Sequence, residues 1–312
     1  MKKIIVIALA FLLTLVSTVS AKPGPASPVE SIVPANAKWI IHVDMEQFRR
    51  TRISEAIKGD KINWFTIANQ MMKTKHKIDL IHDTIGITLF GMGGDKRDVV
   101  ACVNGNFDKE FVLSRVRQAA GYQKTTHGGL TVHKWRGSQF GVFVDDHLLV
   151  YSLHPMSEAA LKDVLDTIAG RTRNTGTFGL MEHLKKMPKD AILKAAAENI
   201  SELGHHGHAS MIIEKTGMAF FVAMERNENL MLKLKLTTDG PETAKNFEQM
   251  INGFIALARM KHEKADPRLE ILNRLKTTLK GNVLQVELSY PSDDLITMLE
   301  YKHKMPFQQS HE

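Results

Sequence analysis

The sequence predicts an α+β fold of two related halves, each a mainly antiparallel sheet with helices. Three observations carry this. Short segments alternate apolar and polar residues and are joined by polar turns, the pattern of antiparallel strands with one wet face. Helical segments separate groups of such strands and do not follow every strand, which describes α+β and not α/β. Finally, Pro34-Ala35-Asn36-Ala37 finds a counterpart in Pro188-Lys189-Asp190-Ala191. In both places an apolar run and then an acid follow, Asp44 and Glu198.

The chain opens with Lys2 and Lys3, then an apolar run from Ile4 to Val16 broken only by Thr14, then Val19-Ser20-Ala21. This is the three-part pattern of a secretory signal peptide cleaved near Ala21. The run is short for a transmembrane helix, which needs about 20 apolar residues; an uncleaved anchor is the alternative. Residues 1–21 are therefore read as a signal peptide, and no transmembrane span is expected in the mature chain. The expected location is periplasmic or extracellular. Residues 22–33 hold Pro23, Pro25 and Pro28 and read as a linker.

The first half is placed at 34–175. Trp39, Ile41 and Val43 alternate with Ile40, His42 and Asp44, a strand. A helical segment over roughly 54–76 follows, then strands in "DTIGITLFG" and "DVVACVNGNF" around a glycine-rich turn, and a helix from Asp108 to about Ala120. Three further strands, "GLTVHKW", "QFGVFVD" and "HLLVYSL", precede the helix "SEAALKDVLDTIAG". Asp145-Asp146 reads as a two-residue turn between the last two strands.

The second half, 176–304, opens on "MPKDAILKAAAENISEL". Its alanines favour helix, but its match to the first strand of the chain makes it a strand. "ASMIIEK" takes the place of a short helix. "GMAFFVAME" and "LMLKLKLTT" are strands around the turn "RNEN", and a helix runs from Pro241 to about His262. "DPRLEILNRLKTTLKG" reads as helix, "NVLQVELSY" as strand and "SDDLITMLEYKHK" as helix. The boundary falls in "RTRNTGTFG", and residues 305–312 form a frayed tail.

These segments resemble a set of exported bacterial proteins, mainly of planctomycetes and their relatives. The resemblance rests on "VPANAKWIIHVDMEQF", "DTIGITLFG", "VVACVNGNFDKEFVLSRV" and "VDDHLLVYSLHPMSEAALKDVLDTIAG". It implies export and this architecture, and it implies no reaction.

Composition narrows the function further. The formal charge of +7 falls by two, to +5, when Lys2 and Lys3 leave with the signal peptide. The densest basic cluster is Lys73, Lys75, His76 and Lys77, with no aromatic residue interleaved, so nucleic acid is excluded as a partner. Such a cluster suits a solvated helix end; functionally it suits an anionic envelope polymer or lipid headgroups. Cys102, the single cysteine, allows no internal disulfide and reads as a small core hydrophobe.

Three stretches invite a chemical reading. His205, His206 and His208 in "SELGHHGHAS" fall in a connection, with glycines that would let imidazoles converge on Zn, Cu or Ni. A zinc site needs three or four ligands, and only Glu202 lies nearby, so a polar surface loop competes with a metal site. His42 and Asp44 share a strand face as an acid–base pair would, yet His42 matches Ala196 in the second half, and an aspartate tethering the next helix fits better. "FGMGGDKRD" lacks the Gly-Lys-Ser/Thr of a phosphate loop and reads as a hairpin turn. Ser138 lacks the Gly-X-Ser-X-Gly spacing of a nucleophile elbow. No catalytic set and no cofactor other than a divalent transition metal is indicated. The expectation is an exported, non-enzymatic binding or interaction protein of the bacterial cell envelope, with an envelope protein or polymer as partner. The alternative is a metal-binding exported protein, or a metal-dependent hydrolase, using His205, His206 and His208.

Overall fold

The computed structural model describes residues 31–58, 69–70, 73–74, 79, 81–93, 98–172, 179–199, 214–261 and 267–304. In chain order these hold β1 (Trp39–Asp44), α1 (Met45–Arg49), α2 (Arg52–Lys58), β2 (Thr84–Gly91), β3 (Val99–Gly105) and α3 (Lys109–Arg117). Next come β4 (Gln123–His127), β5 (Leu130–Trp135), β6 (Gln139–Phe143), β7 (Leu148–Ser152), α4 (Glu158–Ile168) and α5 (Leu180–Lys185). The remainder is β8 (Ala191–Glu198), β9 (Thr216–Arg226), β10 (Asn229–Thr238), α6 (Pro241–Lys261), α7 (Pro267–Asn273), β11 (Lys276–Lys280), β12 (Val283–Pro291) and α8 (Ser292–Lys304). The fold is α+β, helices packed on antiparallel sheet.

All twelve strands form one sheet, in the order β11-β12-β10-β9-β8-β1-β2-β3-β7-β6-β5-β4. Its middle is the antiparallel pair β1–β8, with Ile41 opposite Ala195 and His42 opposite Lys194. Outward from that pair the order is β1-β2-β3-β7-β6-β5-β4 one way and β8-β9-β10-β12-β11 the other. Helix-favouring alanines at 195–197 take extended form because β1 and β9 flank them on both sides and supply every ladder partner. Tertiary pairing here overrides a propensity of under 1 kcal/mol per residue.

In the first half both sheet faces are covered. Ile40, Phe90, Val100, Cys102 and Val150 pack beneath Leu161, Val164 and Leu165 of α4 and Leu180, Met181 and Leu184 of α5. Cys102 is buried there, and burial pushes its thiol far above the usual range. Ile87, Leu89, Ala101 and Val103 face the other way, beneath Val112 of α3. Asp108 starts α3 by accepting from Phe111 N at 2.9 Å, and Ser157 starts α4 by accepting from Ala160 N at 3.3 Å. In the second half α6 lies on β10, β11 and β12. Leu234 and Leu236 belong to one face of β10, while Lys233 on the other pairs with Glu287 at 2.6 Å. No described helix is long and apolar enough to cross a membrane.

The structure departs from the expected elements in five places. The segment 266–281 is not one helix: α7 ends at Asn273 and Lys276–Lys280 is the edge strand β11, turned into β12 through Gly281 at φ 59°. Thr277 and Thr278 are β-branched and fit the pleat better than a helix. Gln123–His127, polar throughout and without hydrophobic alternation, is the opposite edge strand β4. It is joined to β5 by Gly128 and Gly129, both at positive φ, the two-residue turn that a hairpin prefers. The short helix α5 is a third addition. The helical segment expected over 54–76 begins earlier, as α1 and α2. The connection at Asp145-Asp146 spans residues 144–147, with Asp145 Oδ1 accepting from the backbone N–H of His147 and Leu148.

Both edge strands are short, exposed on most positions and lysine-bearing (Lys124; Lys276 and Lys280), which discourages further strand addition. The β4 edge is also held from behind. Asp166 of α4, with a side chain only 7% exposed, receives His127 Nε2 at 2.7 Å and Lys162 Nζ at 2.7 Å, with Arg171 at 3.6 Å. The hydrogen bond from Lys162, then that from His127, depresses its pKa from 3.8 to about 2. A depressed carboxylate contributes stability that is present above its unfolded pKa and lost as pH falls through the folded one, here between about 4 and 2. Asp166→Asn should lower the amide protection factors of residues 123–127 at pH 7, and the wild type should show the same protection factors only below pH 3. Equal exchange in both proteins at pH 7 would show that the cluster does not anchor β4.

Candidate functional site

The candidate site is the cleft where the halves meet beside the β1–β8 pair, and it is assembled from the end of β1 outward. Asp44, the last residue of β1, accepts from Gln47 N at 2.9 Å and so caps α1. That is the tethering role expected of it. His42 does not form an acid–base pair with it; His42 Nδ1 is hydrogen-bonded with Thr88 Oγ1 at 2.8 Å. At the far end of α1, Arg49 donates to the carbonyls of Ile81 and Thr84 and fixes the helix to the entry of β2.

The chain then turns at Arg50 and Thr51. Thr51, 4% exposed, donates its hydroxyl to Phe48 O at 2.7 Å and accepts from Ser54 N at 3.0 Å, capping α2. A second acceptor for the first turn of α2 comes from the other half: Glu225 Oε2 of β9 takes Arg52 N at 2.9 Å. The Arg52 guanidinium forks to Glu228, in the β9–β10 turn, and to Asp293, in the first turn of α8, at 3.3 Å. Hydrogen bonding to Glu228 and the nearby Asp293 charge raise the Arg52 pKa. Below the cleft Arg226 is bidentate to Asp190, at 2.5 and 2.8 Å, which holds the Asp190 carboxyl below the ordinary range.

The turn that presents Glu228 is itself unusual. Asn227 and Glu228 both have positive φ, 49° and 62°. Two-residue hairpin turns of this shape usually carry glycine at the second position. A glutamate there is strained by about 1 kcal/mol or more, and it is the residue that reaches Arg52.

The resulting cleft has a volume of about 450 Å³. First-half residues from α1, α2 and their turn form one wall, and Asp190, Ile192, Glu225, Asn227 and Glu228 form the other. A second junction closes behind it, where Ala56 and Ile57 of α2 meet Ile296 of α8. Among the described residues, three enclosed side-chain atoms of these meeting elements find no hydrogen-bond partner: Glu225 Oε1, Ser54 Oγ and Ser292 Oγ. Buried polar atoms are otherwise satisfied as a rule, so the seam carries a deficit of partners.

Of the sites expected from sequence, His205, His206 and His208 lie outside the described residues. Among the described residues no group of three or more His, Cys, Asp or Glu side chains is placed to hold a metal ion. Lys73 of the basic cluster pairs with Asp79 at 2.6 Å; Lys75, His76 and Lys77 lie outside the described residues. "FGMGGDKRD" connects the antiparallel pair β2–β3, a hairpin as expected. Sequence reasoning missed the cleft because its partners stand far apart: Arg52 is 173 positions from Glu225 and 241 from Asp293. The one local signal was the density of charge in "QFRRTR", at the α1–α2 turn, and in "ERNEN", across the β9–β10 turn.

No protein family matches the chain, and no curated protein matches it. Among solved structures, crystal form III of a protein designated TP0453 is similar at a TM-score of 0.49 and 11% identity, covering 90% of this chain and 99% of that one. Crystal forms IV and I of TP0453 give 0.47 and 0.43 at the same identity, with 97% and 98% of their chains covered.

Proposed function

We propose that this chain is an exported, non-enzymatic binding protein of the bacterial cell envelope, and that the seam cleft is where its ligand or partner sits. One observation carries the reading: the cleft lies between the two halves, walled by both, and is set by ion pairs that cross between them. Clefts at such junctions are where ligands are ordinarily held. We take the halves as copies of one unit, whose junction supplies a surface that neither has alone. The non-enzymatic reading is supported by the one hydroxyl among the described residues that line the cleft, that of Thr51, being engaged as both donor and acceptor. No imidazole is among those lining residues, so a hydroxyl paired with an imidazole base is not assembled from them. The envelope assignment rests on the signal-peptide pattern of residues 1–21, and the partner class on that location. No contact among the described residues favours the metal-dependent alternative.

The test is site-specific photo-crosslinking in intact cells. A photoreactive residue at Gln47, in the cleft, should yield a discrete adduct of the chain lacking residues 1–21. The same residue at Lys235, on the wet face of β10, should yield none. Full-length chain retained in the cytoplasm, or indistinguishable adducts from both positions, would overturn the proposal.

A further inference from the structure

We infer that the seam cleft takes a zwitterionic ligand, an amino acid or short peptide presenting a carboxylate and an ammonium group together; this rests on the cleft being a ligand site at all. Arg52 is engaged by Glu228 and Asp293, and Asp190 by Arg226. Two ionic groups remain on the wall without a hydrogen-bonded ion partner among the described residues: Arg50 at the α1–α2 turn and Glu55 on α2. Both are exposed.

The open guanidinium is a planar fork of donors, which matches a carboxylate with two parallel hydrogen bonds. Glu55 offers the opposite sign on the next turn of chain. One group of each charge, held on one rigid helix–turn–helix, recognises a ligand carrying both.

The wall also excludes other classes. Among the described residues that line it Ile192 is the single apolar one, so an acyl chain would find little to bury against. None of those residues is aromatic, so they offer no platform for a nucleobase or a sugar face. Four carboxylates against two guanidiniums repel a polyanion.

Calorimetry on the full mature chain tests this with three probes: alanyl-alanine, its N-acetyl derivative and its C-terminal amide. The dipeptide should bind, and each blocked form should bind at least tenfold more weakly. Arg50→Ala should cost the dipeptide a similar factor yet leave the amide unaffected, because the partner of Arg50 is already missing from it. Glu55→Gln should behave in the same way toward the N-acetyl form. Both residues are exposed, so neither change threatens the fold. Blocked and free forms binding alike, or additive losses from Arg50→Ala and amidation, would overturn the inference. If no dipeptide binds while Gln47 still crosslinks in cells, the ligand class is wrong and the cleft remains a site. If both fail, the proposed function falls with it.

Discussion

Phe90→Ala is expected to destabilise the protein by about 3–5 kcal/mol. Phe90 is fully buried near the end of β2, opposite Ile40 on one side and Val100 on the other. Its ring fills the space beneath α4 and α5. Removing it loses the transfer free energy of the ring and leaves a cavity that two strands and two helices cannot close together. Against a total stability of about 5–15 kcal/mol the loss is large. Urea unfolding followed by tryptophan fluorescence and by far-UV circular dichroism measures it. Because β1–β8 carries the sheet without a break between the halves, both probes should shift together to a lower midpoint. A mutant transition that splits, with the second half unfolding at its wild-type midpoint, would show that the central pair does not couple the halves.

Gly105→Ala comes second. Gly105 ends β3, and a Cβ there would lie 2.4 Å from the carbonyl oxygen of Asp83 and 3.1 Å from the Cα of Thr84. Backbone atoms cannot swing aside as a flexible side chain does. That carbonyl also accepts from Asn106 N at 2.8 Å, while Gly105 N donates to His147 O at 2.9 Å. Relief of the clash therefore strains bonds on both sides. A cost of about 1–3 kcal/mol is expected, the usual range for overpacking. Gly93→Ala, where a Cβ meets nothing within 4 Å, is the control and should leave the melting temperature unchanged. Equal melting temperatures for the two variants would refute the close approach of β3 to the entry of β2.

How much of this was legible depended on the range of the interaction that decided each element. Leu230, Leu232, Leu234 and Leu236 alternate with Met231, Lys233 and Lys235, and β10 could be placed from that alone, since the pleat gives each strand two chemically different faces. Asp44 and Asp108 end strand-to-helix connections and were readable as caps, because a cap acts over three residues. The edge strands β4 and β11 were not readable. Gln123–His127 faces water on nearly every position and carries no hydrophobic period, and in Lys276–Lys280 the inner face holds only Thr277 and Leu279, too short a signal to stand out. Their strand character comes only from the neighbour each pairs with.

Composition and local pattern by themselves determined the α+β class, the antiparallel strands other than β4, β8 and β11, and the burial of Cys102. They also carried the expectation of export. Each of these rests on the order of residues within about a dozen positions, where periodicity, propensity and capping act. Only the tertiary structure decided that β1 and β8 pair and merge the strands into one twelve-stranded sheet. It likewise decided that Arg52, Glu225, Glu228 and Asp293 meet, and that Arg50 and Glu55 are left facing a cleft. Backbone ladders and ion pairs join whatever the fold brings within about 3 Å, at any separation along the chain, and no local pattern records which partners those will be.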